Sequence, residues 1–469
     1  AGTGIFSRAD SRDGQAGWLD IATTGSLLLD QNAAISTSTY GNGDAGWIRI
    51  VARDLTINDH SGIYSNTLST SGGRGNAGGI SLLVSGTTRL ARAGQIGSST
   101  AGLGAAGYIS VNTGDLSIDG QAGDVTAILS TAREDSSGDA GWIDVSVARN
   151  ASILHGGQIS TASSGVGGAG RINLVAGALN IDGVEGRGET GILSYSKFDQ
   201  GGIAGDVNVT VQDAMTMRDA SISSSTYGLG KAGNIYIQAG SLELDNSGIY
   251  SRTYSDWGYA GWVDLQLTGR LAMYHDSLIS SSTFGGGNAG YVSIAADSIL
   301  LDGSGIYSSA TGESQANAGW VDVLARGALQ LSNGGEISTS TFSSTGMAGY
   351  VDIQAGDVAI TGQGSRVAAV ASDASSGQTG DISIQSRTLS LSQGGEVSIT
   401  NDAWVNDPAL IVPTSIMVES NQITLDHAGI IPVDEFERDQ AAQATIAGFV
   451  DRPHAAAPEE LDELVFVPV

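Results

Sequence analysis

The stretch Asn234-Ile-Tyr-Ile-Gln-Ala-Gly-Ser-Leu-Glu-Leu-Asp-Asn-Ser-Gly-Ile-Tyr-Ser-Arg-Thr253, with the loop that follows it up to Ala260-Gly261, is one complete structural unit. Three short segments in it alternate with period two: Ile235/Ile237, Leu242/Leu244 and Ile249/Ser251. Alternation of this kind, bounded by Gly, Asn and Asp, predicts strands with one buried face. Nothing between them reads as a hairpin turn. The three strands therefore wind in one direction and predict one coil of a right-handed parallel β-helix.

The unit recurs. Its Ala-Gly glycine returns at Gly17, Gly46, Gly78, Gly107, Gly141, Gly170, Gly205, Gly233, Gly261, Gly290, Gly319 and Gly349, and Thr379-Gly380 is a thirteenth variant. Successive spacings run from 28 to 35 residues. A fixed period of this size means one supersecondary unit stacked on copies of itself. The third strand carries an inward apolar residue at Ile5, Ile35, Ile63, Ile96, Ile128, Ile159, Ile192, Ile222, Ile249, Ile279, Ile306 and Ile337. Two residues later stands Ser7, Thr37, Ser65, Ser98, Ser130, Thr161, Ser194, Ser224, Ser251, Ser281, Ser308 or Thr339. These hydroxyls also face inward, and a buried hydroxyl without a partner is costly, so they are expected to form an internal ladder that donates along the stack. Residues 415–430 have no Ala-Gly ahead of their first strand but place Ile416, Val418, Ile423, Leu425 and Ile430 in the inward slots. The expected fold is all-β, a solenoid of about 14 three-stranded coils over residues 1–433 with about 30 residues per coil; at the strand spacing this is a rod roughly 65–70 Å long.

Residues 434–469 differ. Asp434 to Gly448 has helix-forming composition with acids in its first turn. A Pro/Ala stretch from Pro453 to Pro458, an acidic patch and the apolar strand-like end Leu464-Val-Phe-Val-Pro-Val469 follow. We read this segment as a cap helix, a linker and a terminal strand.

The 469 residues include 69 glycines and carry a formal charge of −28. Lys197 and Lys231 are the only lysines, so a basic nucleic-acid footprint is missing. With no cysteine, disulfides and thiolate metal sites are excluded. No apolar run reaches membrane-spanning length. Such acidity suits an exported protein kept soluble by self-repulsion. The chain opens in mid-repeat at Gly4-Ile5-Phe6-Ser7, from which we expect that a leader or a larger amino-terminal region precedes it.

Motifs such as Gly287-Asn-Ala-Gly-Tyr-Val-Ser-Ile294 and Gly334-Gly-Glu-Ile-Ser-Thr-Ser-Thr341 resemble the β-helical shafts of filamentous-haemagglutinin-like exoproteins, the large partners of two-partner secretion systems. The resemblance covers roughly residues 1–433. It implies export across a bacterial outer membrane, a non-enzymatic rod, and surface adhesion or matrix building.

Several features are candidates for function. The outward residue after Ala-Gly forms a column with Trp18, Trp47, Tyr108, Trp142, Trp262, Tyr291, Trp320 and Tyr350, which holds five of the seven tryptophans. Exposed, such a column stacks sugar rings or packs against a neighbouring rod; the competing expectation, which we favour at this point, is that the variable loop folds back over it. Two residues on come Asp20, Asp144, Asp264, Asp322 and Asp352. Asp322 and Asp352 lie in adjacent coils, where like charges are solvated or bridged by a cation such as Ca²⁺. We expect solvation, which leaves structural Ca²⁺ as the one candidate cofactor. Trp142-Ile-Asp-Val145 faintly matches a pectate-lyase strand motif, but Trp-x-Asp recurs here as a repeat element. His60, His155, His275 and His427 precede third strands of non-adjacent coils, and His454 lies in the tail, so they do not converge on one metal. The expected catalytic set is empty.

A solenoid exposes unpaired backbone at its ends. Pairing of Leu464, Val465, Phe466 and Val467 with the open coil of another copy near Ile5 and Phe6 gives strand addition between chains and, when the contact does not close, a filament. A self-cap is the competing expectation. The function expected is a secreted, extracellular structural or adhesive protein of the bacterial cell surface. Its partners are further copies of itself, glycans or cell surfaces; nucleic acid and membrane insertion are not expected. The alternatives are a monomeric carbohydrate-binding adhesin module and a polysaccharide lyase.

Overall fold

The computed structural model describes residues 3–68, 73–121, 125–134, 136–186, 188–197, 202–255, 257–311, 316–342, 346–372, 378–401, 414–426 and 444–445. Every described strand except the last is a rung of one parallel β-solenoid. Thirteen coils contain all three strands, preceded by a lone third strand at Gly4–Ala9 and followed by the first and second strands of a further coil at Ile416–Asp426. The count of fourteen thus included an incomplete turn, and Ile430, assigned to it, lies outside the described residues. No helix occurs among the described residues.

The third strands form a fourteen-stranded parallel sheet whose order follows the chain. Their apolar column is in register throughout: Ile5 pairs with Ile35, Ile35 with Ile63, and so on to Ile306 with Ile337, then Val367 and Val397. A one-residue slip anywhere would turn this column outward, which is why the register persists. The first and second strands build the opposing walls. In eight coils they merge into one bent element, such as Ile143–Leu154. Where the lengths of neighbouring coils differ, a bulge between the two halves absorbs the difference, as between Val147 and Asn150. The interior is a continuous stack, mostly of Ile, Leu and Val with some Met and Ala, from Leu29 to Val418.

The turn into the third strand is made by residues with positive φ: Asp59 and His60, Arg92 and Ala93, His155, Asn246, His275 and Asp276, Asn333, Gln393. Asn, Asp and His are enriched in this conformation. Three histidines therefore sit at these corners for a backbone reason.

The two repeat signatures, Ala-Gly and the inward hydroxyl, are halves of one interaction. Ser281 Oγ accepts from the Gly290 N–H at 2.8 Å and donates to the Gly261 carbonyl, one coil earlier, at 2.7 Å. Ser65, Ser224, Ser251 and Ser308 repeat the pattern, each accepting from the next Ala-Gly glycine and donating to the previous one. Thr37, Thr161 and Thr339 donate to the glycine of their own turn, Gly46, Gly170 and Gly349, at 2.6–2.7 Å. The serine hydroxyls do donate along the stack as expected, but the acceptor is glycine backbone. A second inward hydroxyl column, including Thr100 and Thr226, bonds the carbonyls of Gly104 and Gly202 in the same corner.

Close approach explains the glycine. From Gly46 to Gly380, a Cβ on any Ala-Gly glycine would sit 1.7–2.4 Å from the carbonyl oxygen of the glycine beneath it. Three residues earlier a second glycine column, Gly43 through Gly287, is crowded in the same way for most of its length. One coil shows the compensation: Ala316 replaces that glycine while Ala310 replaces the hydroxyl, and the two pack with Ala318 as a small apolar cluster.

Two substitutions test this corner by urea unfolding. Ser281→Ala orphans the Gly290 N–H and the Gly261 carbonyl and is expected to cost about 1–3 kcal/mol. Gly290→Ala places a methyl 2.2 Å from the Gly261 oxygen and is expected to cost more, above about 3 kcal/mol.

Candidate functional site

The first strand of each coil begins directly after Ala-Gly, and its backbone bonds carry the aromatic column outward. Val263, Val292 and Val321 donate to the carbonyls of Tyr291, Trp320 and Tyr350, each at 2.9 Å. Among the described residues no loop covers these rings. Trp18 is 80 % exposed and the tryptophans and tyrosines from Trp262 to Tyr350 are 40–53 % exposed. The expectation of an internal second cluster is therefore corrected: the corner before the column turns on glycines, and the ring following them points away from the core.

The column divides into islands. Trp47 lies over Gly79, where a Cβ would meet its ring at 2.4 Å. Tyr108 is half-buried and donates to Asp144 at 2.8 Å, while the Arg171 guanidinium sits 5.0 Å from the centre of the Trp142 ring. Asp206 and Asn234 then interrupt the aromatics. The longest island is Trp262, Tyr291, Trp320 and Tyr350 in four successive coils, with centroid spacings of 5.4, 5.2 and 5.6 Å and tilts of 54–83°. Trp257 and Tyr259, both exposed, lie just before Trp262 in the chain.

The aspartates of the neighbouring column have different partners. Asp20 pairs with Arg49 at 3.1 Å. Asp144 accepts from Tyr108 and Asn173, and Asn173 in turn accepts from Asn208 at 2.7 Å. The Trp-x-Asp motif at Trp142 is thus tied into coil-to-coil bonding. Asp264 and Asp352 accept from Gln266 and Gln354 of their own strands. Asp322 stands in register with Asp352, and burial, reinforced by the Asp352 charge, pushes its carboxyl up. These two weak calcium candidates are neighbours as read, and among the described residues no group of three or more His, Asp or Glu side chains gathers around a point. The described histidines stay in separate coils: His155 and His275 pair with Asp119 and Asp245 of the preceding coil at 3.0 and 2.6 Å. His427 and His454 lie outside the described residues.

Ile5 and Phe6 are exposed, at 46 % and 50 %. Leu464, Val465, Phe466 and Val467 lie outside the described residues. Within the segment read as helical, Ala444 and Thr445 instead pair antiparallel with Val418 and Met417. Among the described residues, the outer edge of this last coil pairs only with these two residues of the chain's own tail.

Sequence reading missed a second aromatic ladder. Tyr227, Tyr254 and Phe284 stack with centroids 4.6 and 4.9 Å apart and planes within 7°. Its signal was the recurring pair Thr226-Tyr227, Thr253-Tyr254 and Thr283-Phe284, in which the Thr points in and the ring out. Burial and the neighbouring Tyr254 push the Tyr227 phenol up to about 12. Also missed were the tyrosines of Gly-Ile-Tyr-Ser: Tyr64, Tyr250 and Tyr307 fold their rings back over Gly62, Gly248 and Gly305 on the outer sheet face. Beside Tyr250, the Glu189 carboxylate accepts from Ser221 Oγ at 2.7 Å, and burial raises its titration point above the usual value.

Comparison with known proteins finds no match: no family model, no curated protein and no solved structure aligns with this chain. The repeats' likeness to a β-helical shaft is established at the level of a parallel β-solenoid.

The charged groups predict opposing pH effects. Arginine hydrogen bonds hold Asp54, Asp59 and Asp115 below their ordinary 3.8, and Thr388 with Arg387 does the same for Asp357, so their contribution exists above that value and is lost as pH falls through the folded titration points. Glu189 is raised above 4.5, so its contribution is full below 4.5 and is lost as pH rises through its folded value. Glu189→Gln is therefore expected to stabilise the protein at pH 7 and to make no difference in acid below that value, as read by denaturant midpoints at the two pH values.

Proposed function

We propose that this chain is the shaft of an exported, non-enzymatic protein of the bacterial cell surface, structural or adhesive in role and akin to the filamentous-haemagglutinin-like exoproteins its repeats resemble. The observation that carries the reading is the exposed aromatic column on an in-register solenoid of thirteen complete coils. A solenoid holds display positions at a fixed interval on a stiff support, and its interior side chains are spent on stacking. Exposed rings in a row are costly to leave in water and mark interaction surfaces. The formal charge of −28 fits a chain that stays soluble at high local concentration outside the cell.

Assembly into fibres belongs to the same proposal. Ile423 and Leu425 continue the inward columns of Leu389 and Leu391, yet they are 38 % and 57 % exposed, so this coil offers apolar surface to a further rung. Strand addition from another copy supplies one; the competing occupant is the chain's own tail around Ala444 and Thr445. Negative-stain images of the purified protein are expected to show fibres of unbounded length. Deleting residues 459–469 is expected to abolish the fibres while leaving the β-sheet circular dichroism intact. Single rods of one length in the parent protein, or fibres that survive the deletion, would overturn the assembly proposal.

A further inference from the structure

We infer that the strip formed by Trp262, Tyr291, Trp320 and Tyr350 with the adjoining Asp264, Asp322 and Asp352 is a binding surface for a linear glycan whose sugars carry protonated amines. The inference rests on the adhesive reading and names the ligand class for one face of the rod.

The geometry comes first. Four rings occupy equivalent places in four successive coils at 5.2–5.6 Å. In the Tyr227 ladder the rings lie flat on one another and cover each other's faces. Here the tilts of 54–83° leave each ring partly turned to solvent. Ring faces toward solvent receive the apolar face of a pyranose. An extended glycan advances by one ring for about the height of one coil, so the repeat of the protein and that of the polymer stay in step along the strip. A compact or branched ligand would gain nothing from this periodicity.

Charge then selects the glycan. Two and four residues beyond each ring, the same outward face carries Asp264 and Gln266, Ser293 and Ala295, Asp322 and Leu324, Asp352 and Gln354. These positions include no Lys or Arg. Elsewhere on the column carboxylates have cationic or hydrogen-bonding partners from other coils, as Asp20 has Arg49 and Asp144 has Tyr108 and Asn173. In the strip, Asp322 and Asp352 face each other across one coil step without a cation. Like charges so placed repel, and an ammonium group between them relieves that repulsion. Carboxylates and amides beside aromatic rings also accept from and donate to sugar hydroxyls. Uronate or sulfated polymers are repelled by the same carboxylates and by the overall charge of −28.

The test is calorimetric titration of the full chain, at mildly acidic pH and low salt, with three hexamers: β-1,4-glucosamine, β-1,4-N-acetylglucosamine and α-1,4-galacturonate. The glucosamine hexamer is expected to bind with a change in tryptophan fluorescence and to weaken as salt is added. Trp320→Ala and the double substitution Asp322→Asn/Asp352→Asn are each expected to weaken it at least tenfold, Trp320→Phe to retain it, and Phe342→Ala, outside the strip, to leave it unchanged. Thermal melts and circular dichroism of the variants should match the parent, since the altered side chains lie on the surface. Equal affinity for the acetylated hexamer would overturn the amine preference. Absence of glucosamine binding, or binding undiminished in Trp320→Ala, would overturn the site. Neither result bears on the shaft reading, which fails separately if the purified chain shows no adhesion to bacterial or host surfaces and no fibres under the microscope.

Discussion

Everything in this molecule depends on a hydroxyl that bonds two glycines at once. Ser65, Ser224, Ser251, Ser281 and Ser308 of the third strands each take an N–H from the next Ala-Gly corner and give their proton to the carbonyl of the previous one, as Ser281 does between Gly290 and Gly261. The bond satisfies buried backbone groups at the tightest corner of the coil, where secondary-structure ladders do not reach. It also couples three positions, so that strand, corner and the coil below are set together. Glycine is required on the backbone side because a Cβ there would overlap the carbonyl beneath. A repeat that keeps its hydroxyl must keep its glycine, and the coil with Ala310 and Ala316 shows an apolar alternative taking over when a hydroxyl and the neighbouring glycine column change together.

Because the corner is so constrained, variation is forced elsewhere. Length differences between repeats appear in the bulge between first and second strands and in the loop after the third strand. Chemical differences appear on the outward positions: aromatic islands, Asp–Arg and Asp–His pairs across coils, and the tyrosines that lie back over glycine. A solenoid separates support from display in this way, since interior slots repeat while each exterior slot is free to change. The strip from Trp262 to Tyr350 differs from the rest of its column because aromatic residues run uninterrupted there and the carboxylates beside them lack cationic partners.

The acidic surface has a physical consequence for association. Parallel rods of like charge repel at low ionic strength and approach more closely as salt screens them. In the proposed assembly this repulsion disfavours lateral packing relative to end-to-end contact, where apolar interior slots such as Ile423 and Leu425 are exposed. Pairing of Ala444 and Thr445 with the same coil places a cis contact at that edge, so any trans contact there competes with the chain's own tail.

The period of the sequence determined the fold. Alternation at Ile235/Ile237, Leu242/Leu244 and Ile249/Ser251, repeated at near-constant spacing, leaves one way to bury the apolar face, and the in-register column from Ile5 to Val397 follows. The outward aromatic and aspartate columns were legible too, because period two assigns each residue to a face. Tertiary structure alone decided what partners those residues find. Whether a ring is covered depends on the path of a loop whose length varies from coil to coil, and the rings from Trp262 to Tyr350 proved to be open. The partner of a buried hydroxyl is a backbone group of another coil, which composition does not reveal, so the bond between Ser281, Gly261 and Gly290 emerged only when the chain was wound. The ladder of Tyr227, Tyr254 and Phe284 went unread for the same reason: its residues are some thirty positions apart, and only stacking of the coils brings them within 5 Å.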